Sequence, residues 1–132
     1  MRPAVIHPDD YRVNQTWLIF KVNEVPIRTM EDGDFDCLVL MDAASACIVA
    51  QVMVPVTEAE PSLLECKQMF KQGKARKNQL PRELIIPQEL QADVLAREAV
   101  RQGMKVVRLP ETQLQVYTSE ARDGFREHFG GA

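Results

Sequence analysis

One carboxylate is a candidate for chemistry because of its place in the apolar pattern. Asp42 ends the largely apolar run 36–42, and a second apolar run, 47–54, follows the short segment 43–46. The two runs predict a β-hairpin whose first strand is buried on both faces and is therefore central in a sheet. Asp42 then lies at the carboxyl end of a central strand, in the crevice where open α/β sheets bind ligands. A carboxylate there could hold Mg²⁺ or Mn²⁺, and two such ions could clamp a phosphodiester during its cleavage.

A metal site of this kind needs more than one acid. The possible co-ligands follow a predicted strand at 83–86 or lie on a predicted last helix, and they are Glu89, Asp93, Glu120, Asp123 and Glu127. Asp42, Glu120 and Asp123 form the ligand set of this enzyme hypothesis, with Asp42 as the catalytic residue. The alternative is that Asp42 opens the hairpin turn and accepts backbone N–H groups, which is a common role of Asp. In that case no residue is assigned to catalysis.

A basic segment is the second candidate site. No acid lies between residues 67 and 82, and the basic residues there are Lys67, Lys71, Lys74, Arg76, Lys77 and Arg82. Such a cluster could bind the phosphates of a nucleic acid with salt-sensitive affinity. Lys67, Lys71 and Lys74 share one helix face by their spacing, which is also typical of a solvated face. The one aromatic residue, Phe70, belongs to the apolar stripe, so base stacking is not indicated.

Other chemistries have little support in the sequence. Cys37, Cys47 and Cys66 are an odd number at no metal-like spacing, and they are interpreted as reduced and mostly buried thiols. The glycines of the central region stand alone, without a phosphate-binding loop. No cofactor is therefore expected, apart from Mg²⁺ or Mn²⁺ under the enzyme hypothesis.

Length and composition indicate one soluble domain. The chain has 132 residues with a net charge of −3, which argues against wholesale attraction to nucleic acid or membrane. No apolar run approaches the roughly 18–20 residues that span a bilayer, and the first residues lack the apolar core of a signal peptide. We therefore expect a cytoplasmic protein that has no membrane contact.

The elements that would position these residues alternate in type along the chain. Aromatic and β-branched residues predict a strand at 16–22 before the hairpin. A helix is expected to begin with Pro61 at its first helical position, to bury Leu63, Leu64 and Phe70, and to fray near Gly73. The interval 1–35 is interpreted as an N-terminal extension. Its strand could add to the edge of another subunit, giving self-association, or pack on its own sheet.

The second half of the chain reads as a βαβ unit. A strand at 82–87, a helix at 88–102 and a strand at 104–109 predict two parallel strands with a right-handed crossover. A last helix is expected from Thr118 or Ser119 to Phe129. The predicted order is β-β-β-α-β-α-β-α, an α/β fold with a mixed sheet and flanking helices.

This order, from residue 36 to 129, resembles the ribonuclease H-like fold of ribonuclease H, retroviral integrases and transposases. The segment 40–49 resembles the first hairpin of integrase cores, where an aspartate ends strand one, and 81–86 resembles their fourth strand. The resemblance implies a second acid just after that strand, where this chain has Pro87 and Gln88. The chain is also similar to small bacterial domains in which a proline precedes strand, helix, glycine and strand.

The resemblance therefore implies a degenerate ribonuclease H-like fold. A single acid without further acids beside it indicates a scaffold and not a catalyst. The expected function is a non-enzymatic binding or interaction module with a protein partner or a second copy. The alternatives are a metal-dependent phosphodiester-cleaving enzyme and a nucleic-acid binder acting through residues 67–82.

Overall fold

The computed structural model describes residues 5–31 and 33–129, apart from the side chains of His128 and Phe129. These residues form an α/β fold with one mixed sheet of six strands and three helices, which confirms the predicted class. In chain order the elements are β1 (Thr16–Lys21), β2 (Ile27–Arg28), β3 (Asp34–Asp42), β4 (Ile48–Pro55), α1 (Leu63–Lys77), β5 (Glu83–Pro87), α2 (Asp93–Arg101), β6 (Lys105–Leu109) and α3 (Gln115–Phe129). Two 3₁₀ turns, Pro8–Asp10 and Glu111–Leu114, precede β1 and α3.

The hairpin and the βαβ unit both form as predicted. β3 pairs antiparallel with β4 on one side, and on its other side it pairs antiparallel with β2 and then β1. β5 pairs parallel with both β1 and β6. Across the sheet the long strands therefore run β4, β3, β1, β5, β6. The expected centrality of the first hairpin strand is confirmed, because β3 has a partner on each side.

The N-terminal strand is not an extension to the core. Trp17 of β1 is opposite Asp42 of β3 on one side and Leu84 of β5 on the other, so both edges of β1 are occupied within the chain. All residues from Thr16 to Phe20 are buried. Self-association through an open edge of this strand is thereby excluded, and the alternative prediction, packing on its own sheet, is confirmed.

Helix α1 differs from its prediction at both ends. Ser62 is the N-cap, and its side chain and that of Glu65 form a reciprocal capping box, so Pro61 lies outside the helix. The helix continues through Gly73 to Lys77, because this glycine allows close packing on the sheet. A Cβ at Gly73 would lie 2.7 Å from Cη2 of Trp17. The expected stripe is also partly wrong, since Leu63 and Leu64 are exposed.

Helix α2 is shorter than the predicted interval 88–102, and α3 is longer than predicted. The backbone N–H of Gln88 donates to the carbonyl of Leu109, which holds the start of the interval outside the helix. Helix α2 begins where the carboxylate of Glu60 accepts the N–H of Val94 at 2.7 Å. At the other helix, α3 continues directly from the 3₁₀ turn and therefore begins before Thr118.

Alternating side chains of the central strands build two cores. Trp17 and Ile19 point to the face that α1 and α2 cover, and Leu18 and Phe20 point to the face that α3 covers. The molecule therefore has three layers, with the sheet in the middle. None of the helices in the described ranges is long and apolar enough to cross a membrane.

Candidate functional site

Asp42 lies at the opposite end of the sheet from the one expected. Because β3 is antiparallel to β1, the carboxyl end of β3 lies beside Trp17, at the start of β1. The carboxyl ends of β1, β5 and β6, and the start of α2 after β5, are at the other end. The predicted position of Asp42 in the ligand crevice beside the helix start is therefore wrong.

The carboxylate of Asp42 is fully buried and has partners on both oxygens. Its Oδ1 accepts the backbone N–H of Asn14 at 2.7 Å, and its Oδ2 accepts the N–H and the hydroxyl of Ser45 at 2.9 and 2.7 Å. Asp42 thus closes its own hairpin turn and ties the turn to the segment before β1. This is the turn role that the sequence left open as the alternative.

Further buried polar groups continue from Asp42. The side-chain amide of Asn14 accepts from Nε1 of Trp17 at 2.8 Å and donates to the carbonyl of Gln79 at 3.1 Å. The hydroxyl of Tyr117 donates to the carbonyl of Ala43 at 2.7 Å, which joins α3 to the same end of the sheet. We call this group, with Asp42 and Ser45, the polar hub. Its bonds explain the position of Asp42 without a metal ion.

The other acids of the enzyme hypothesis do not gather around Asp42. Glu120 is exposed on α3, and Asp123 is bonded to Arg126 at 2.7 Å. Glu89 and Asp93 follow β5 at the other end of the sheet. Among residues 5–31 and 33–129, no group of three or more His, Cys, Asp or Glu side chains is positioned to hold a metal ion.

The basic segment lies on α1 and in the loop that follows it. Five of its six members are exposed, and Lys77 is half-buried. Lys67, Lys71 and Lys74 share one helix face as predicted, whereas Arg76 lies on another side, against the groove between α1 and β4. The six charges are therefore not one continuous surface, although each exposed member is open to solvent.

The carboxyl ends of β1 and β5 flank a polar cleft of about 250 Å³. Its walls include Phe20 and Lys21 of β1, Pro87 of β5 and Arg122 of α3. Open α/β sheets bind ligands at this end. We call it the strand-end cleft, and it is a place that a ligand could enter.

Arg122 is the central side chain of the strand-end cleft. Its guanidinium donates two hydrogen bonds to the carbonyl of Lys21, at 3.1 and 2.9 Å, and forms an ion pair with Glu111. Its Cζ lies 6.0 Å from the ring centroid of Phe20, within the range of a cation–π contact. A fixed positive charge therefore occupies the end of the central strand.

Three carboxylates around this cleft also have donors within the protein. Glu60 accepts the N–H of Val94, Glu89 accepts the N–H of Glu111 at 2.9 Å, and Asp36 accepts from the side-chain amide of Asn23 at 3.0 Å. Each of these acids holds a loop or a helix end. No local pattern indicates this arrangement, because Arg122 and Lys21 are 101 positions apart and meet only through the fold.

The thiols and one buried acid complete the titratable groups of interest. Burial raises the pKa of the Cys66 thiol to about 12, so that it stays protonated and is a poor nucleophile. Cys37 is buried as expected, but Cys47 is exposed at the hairpin turn. The carboxylate of Glu98 is buried, and hydrogen bonds from Arg101 and Gln102 lower its pKa to about 2.

Comparisons with known proteins give no family. No protein family model and no curated protein matches the chain. One similar solved structure is a chain in the simian T-cell lymphotropic virus intasome in complex with PP2A regulatory subunit B56 gamma, with 10% identity and a TM-score of 0.48. The match covers 87% of this chain and 43% of that chain, so this chain spans less than half of its length. The likeness is too weak to assign a family or a function.

Proposed function

We propose that this chain is a degenerate ribonuclease H-like domain that acts as a non-enzymatic binding module. The proposal is supported by the strand order, in which β1, β3 and β4 form an antiparallel meander and β5 and β6 continue parallel to β1. We take this mixed sheet as support for a ribonuclease H-like fold. It also changes which strand corresponds to the first strand of that fold.

In this alignment the first strand is β1, since β1 has the antiparallel neighbour β3 and the parallel neighbour β5. The resemblance implies an acid at the end of that strand and another after the fourth strand. This chain has Phe20 and Lys21 at the end of β1, and Pro87 and Gln88 at the end of β5. Neither position supplies a carboxylate.

The observation that carries the proposal is the position of Arg122. In the enzymes of this fold, acids at the strand ends would surround a divalent cation, and the last helix often supplies the closing acid. Here the last helix supplies a guanidinium, which is bonded to Lys21 and Glu111 at the end of β1. A second cation at the same place would meet like charge, and Asp36, Glu60 and Glu89 of the cleft already accept hydrogen bonds. The cleft is therefore proposed to bind without performing chemistry.

A cleavage assay tests the non-enzymatic part. The protein is incubated with end-labelled single- and double-stranded DNA and RNA in millimolar Mn²⁺ or Mg²⁺. We expect no cleavage beyond the buffer control. Metal-dependent cleavage that the double variant Glu89→Gln with Glu111→Gln abolishes would contradict the proposal, because these two acids follow β5 and β6 and line the strand-end cleft.

Binding of nucleic acid through the basic segment is a second candidate function. It is favoured by the exposure of Lys71, Lys74 and Arg82, none of which forms an ion pair with a described residue. Their charges are thus available to phosphates. The absence of a neighbouring aromatic platform limits this function to contacts with the backbone of the nucleic acid.

A gel-shift experiment tests this second candidate. If the segment binds phosphates, retardation at low salt weakens steeply as salt increases and is lost when Lys71, Lys74 and Lys77 become Glu. The matched control changes Arg97 and Lys105, which are exposed outside the segment, to Glu. No retardation at low salt, or equal loss in the control, would contradict binding at this segment.

A further inference from the structure

The outer edge of β4 is open. Within the described residues β4 pairs only with β3, although it has eight residues and none of them is charged. Proteins usually protect such an edge with charges, bulges or a covering element, because its free N–H and C=O groups attract another strand. β4 lacks such charges, and its irregularities are confined to its two ends: the register shifts opposite Leu40 and Met41, and Pro55 has no N–H to donate.

The hydrogen-bonding pattern shows which groups face outwards. The backbone N–H of Val56 donates to the carbonyl of Asp34 on the β3 side. Because these backbone groups alternate in direction along a strand, the N–H groups of Met53 and Gln51 point to the open side. The N–H of Gln51 meets only the side-chain oxygen of Gln72 on α1, at a long 3.4 Å. This contact also shows that α1 reaches the edge of the sheet.

Helix α1 runs antiparallel to β4 along this edge. Gln72 is beside Gln51, and a Cβ at Gly73 would lie 3.4 Å from Val49, so the helix N-terminus lies towards the end of β4. Residues spaced by seven and eleven share one side of a helix, which places Glu65 and Arg76 on the side of Gln72.

The two ends of this helix side carry opposite charges. Desolvation raises the pKa of Glu58, and the neighbouring carboxylate of Glu65 raises it further. Neither acid forms an ion pair with a described residue, and Arg76 has none either. The helix side along this edge is therefore negative near the last residues of β4 and positive near its first residues.

We propose that a second copy of this chain pairs with the open edge of β4, related by a two-fold axis that passes beside Gln51. The two β4 strands run antiparallel and join the sheets of both copies into one. The two α1 helices lie side by side on one face of the joined sheet. Arg76 of each copy then approaches Glu65 and Glu58 of the other, so that each end meets its opposite charge.

A two-fold axis beside Gln51 lies near the middle of both features that it would pair. The midpoint of β4 lies between Gln51 and Val52, because the strand runs from Ile48 to Pro55. The midpoint between Glu65 and Arg76 is about one and a half residues from Gln72, or about 2 Å along the helix, and Gln72 contacts Gln51. One axis therefore allows both strand pairing and charge pairing.

Exposed apolar side chains on the other sheet face fit the same pairing. Ile48 and Met53 are each 40% exposed and line one apolar cavity with Gln51. The two-fold axis brings Ile48 of one copy beside Met53 of the other, so that both are covered. An acidic extended peptide is a poorer occupant, because its charges would meet Glu58 and Glu65 at one end of the edge.

The test is the mass in solution, measured by sedimentation equilibrium and light scattering over a range of concentrations. We expect a dimer of twice the 15.0 kDa chain mass. Met53→Lys, which places a charge on the edge, and Arg76→Glu, which places like charges together, should each raise the dissociation constant about tenfold or more. The matched controls are Lys74→Glu, on the other side of α1, and Val100→Lys, an exposed apolar residue of α2, and both should leave the constant unchanged.

A charge exchange makes the test specific. In the double variant Glu65→Arg with Arg76→Glu, the opposite charges face each other again, and dimerisation should return relative to Arg76→Glu alone. Circular dichroism checks that each variant is folded. A monomer at about 0.5 mM, a dimer that Met53→Lys and Arg76→Glu leave intact, or a monomer that instead binds an acidic peptide at this edge would each overturn the proposal. None of these outcomes depends on whether the strand-end cleft performs chemistry.

Discussion

The two ends of strand β1 hold charge in opposite ways. At its start, the fully buried Asp42 accepts three hydrogen bonds inside the polar hub. At its far end, Arg122 lies in the open strand-end cleft and is bonded to Lys21 and Glu111. The closed end is built for stability, and the open end keeps its charged groups where a partner could reach them.

The comparison shows why an acid at a strand end is ambiguous in a sequence. A carboxylate after an apolar run can be a ligand or a turn acceptor, and which of these it is depends on the direction of the neighbouring strands. Asp42 follows an antiparallel strand and so lies at the end away from the crevice. Its burial then requires hydrogen bonds to both carboxylate oxygens, and both accept them.

The largest expected effect is at the closed end. Asp42→Ala leaves the buried N–H of Asn14 and that of Ser45 without acceptors, so we expect a loss of about 3 kcal/mol in the free energy of unfolding. Asp42→Asn retains one carbonyl acceptor and should lose less. Urea unfolding measures both variants, and wild-type stability in Asp42→Ala would contradict the structural role of the hub.

Gly73 tests the packing next to the hub. The ring of Trp17 is held by its hydrogen bond to Asn14, so it cannot move away from a methyl group at Gly73. Gly73→Ala should therefore cost about 1–3 kcal/mol. Gly124→Ala is the control on α3, where nothing lies within 4 Å of the added Cβ, and it should stabilise by about 0.5–1 kcal/mol. Equal effects at the two glycines would contradict the close packing of α1.

Arg122 tests the open end. Arg122→Ala removes the bonds to Lys21 and the ion pair with Glu111, but water reaches the cleft, so we expect a loss of only about 1 kcal/mol. Arg122→Lys retains the charge without the paired N–H donors and should lie between Arg122→Ala and wild type. A loss as large as that of Asp42→Ala would remove the distinction between the two ends.

A smaller effect should appear in acid. The folded pKa of Glu98 is about 2, below its ordinary value of 4.5, so its contribution is complete above pH 4.5 and is lost as the pH falls towards 2. Its partner Arg101 is largely exposed, which limits the contribution. Urea unfolding from pH 7 to pH 2.5 should show a steeper decline for wild type than for Glu98→Gln. Parallel declines would contradict the lowered pKa.

The sequence predicted the local parts of the fold better than the non-local ones. The β5–α2–β6 unit and the hairpin follow from apolar patterns and short connections. The central place of β1 does not, because its partners come from residues 38–42 and 83–85. The start of α2 depends on Glu60, more than thirty positions before it. By contrast, the capping box of Ser62 and Glu65 was readable and was missed.

The candidate site was predictable only in part. The basic segment lies largely at the surface, as its composition suggested. The place of Asp42 was not predictable, since it depends on strand direction. Arg122 carried no local signal, because an arginine on a helix is ordinary until the end of β1 lies beside it.

We propose that the guanidinium of Arg122 stands in the strand-end cleft where a metal ion would otherwise bind. The most direct measurement is the melting temperature of the wild-type protein with and without millimolar Mn²⁺, at low ionic strength. We expect no change, since a ligand that does not bind the folded state cannot stabilise it. A rise in melting temperature that Glu89→Gln with Glu111→Gln abolishes would contradict it.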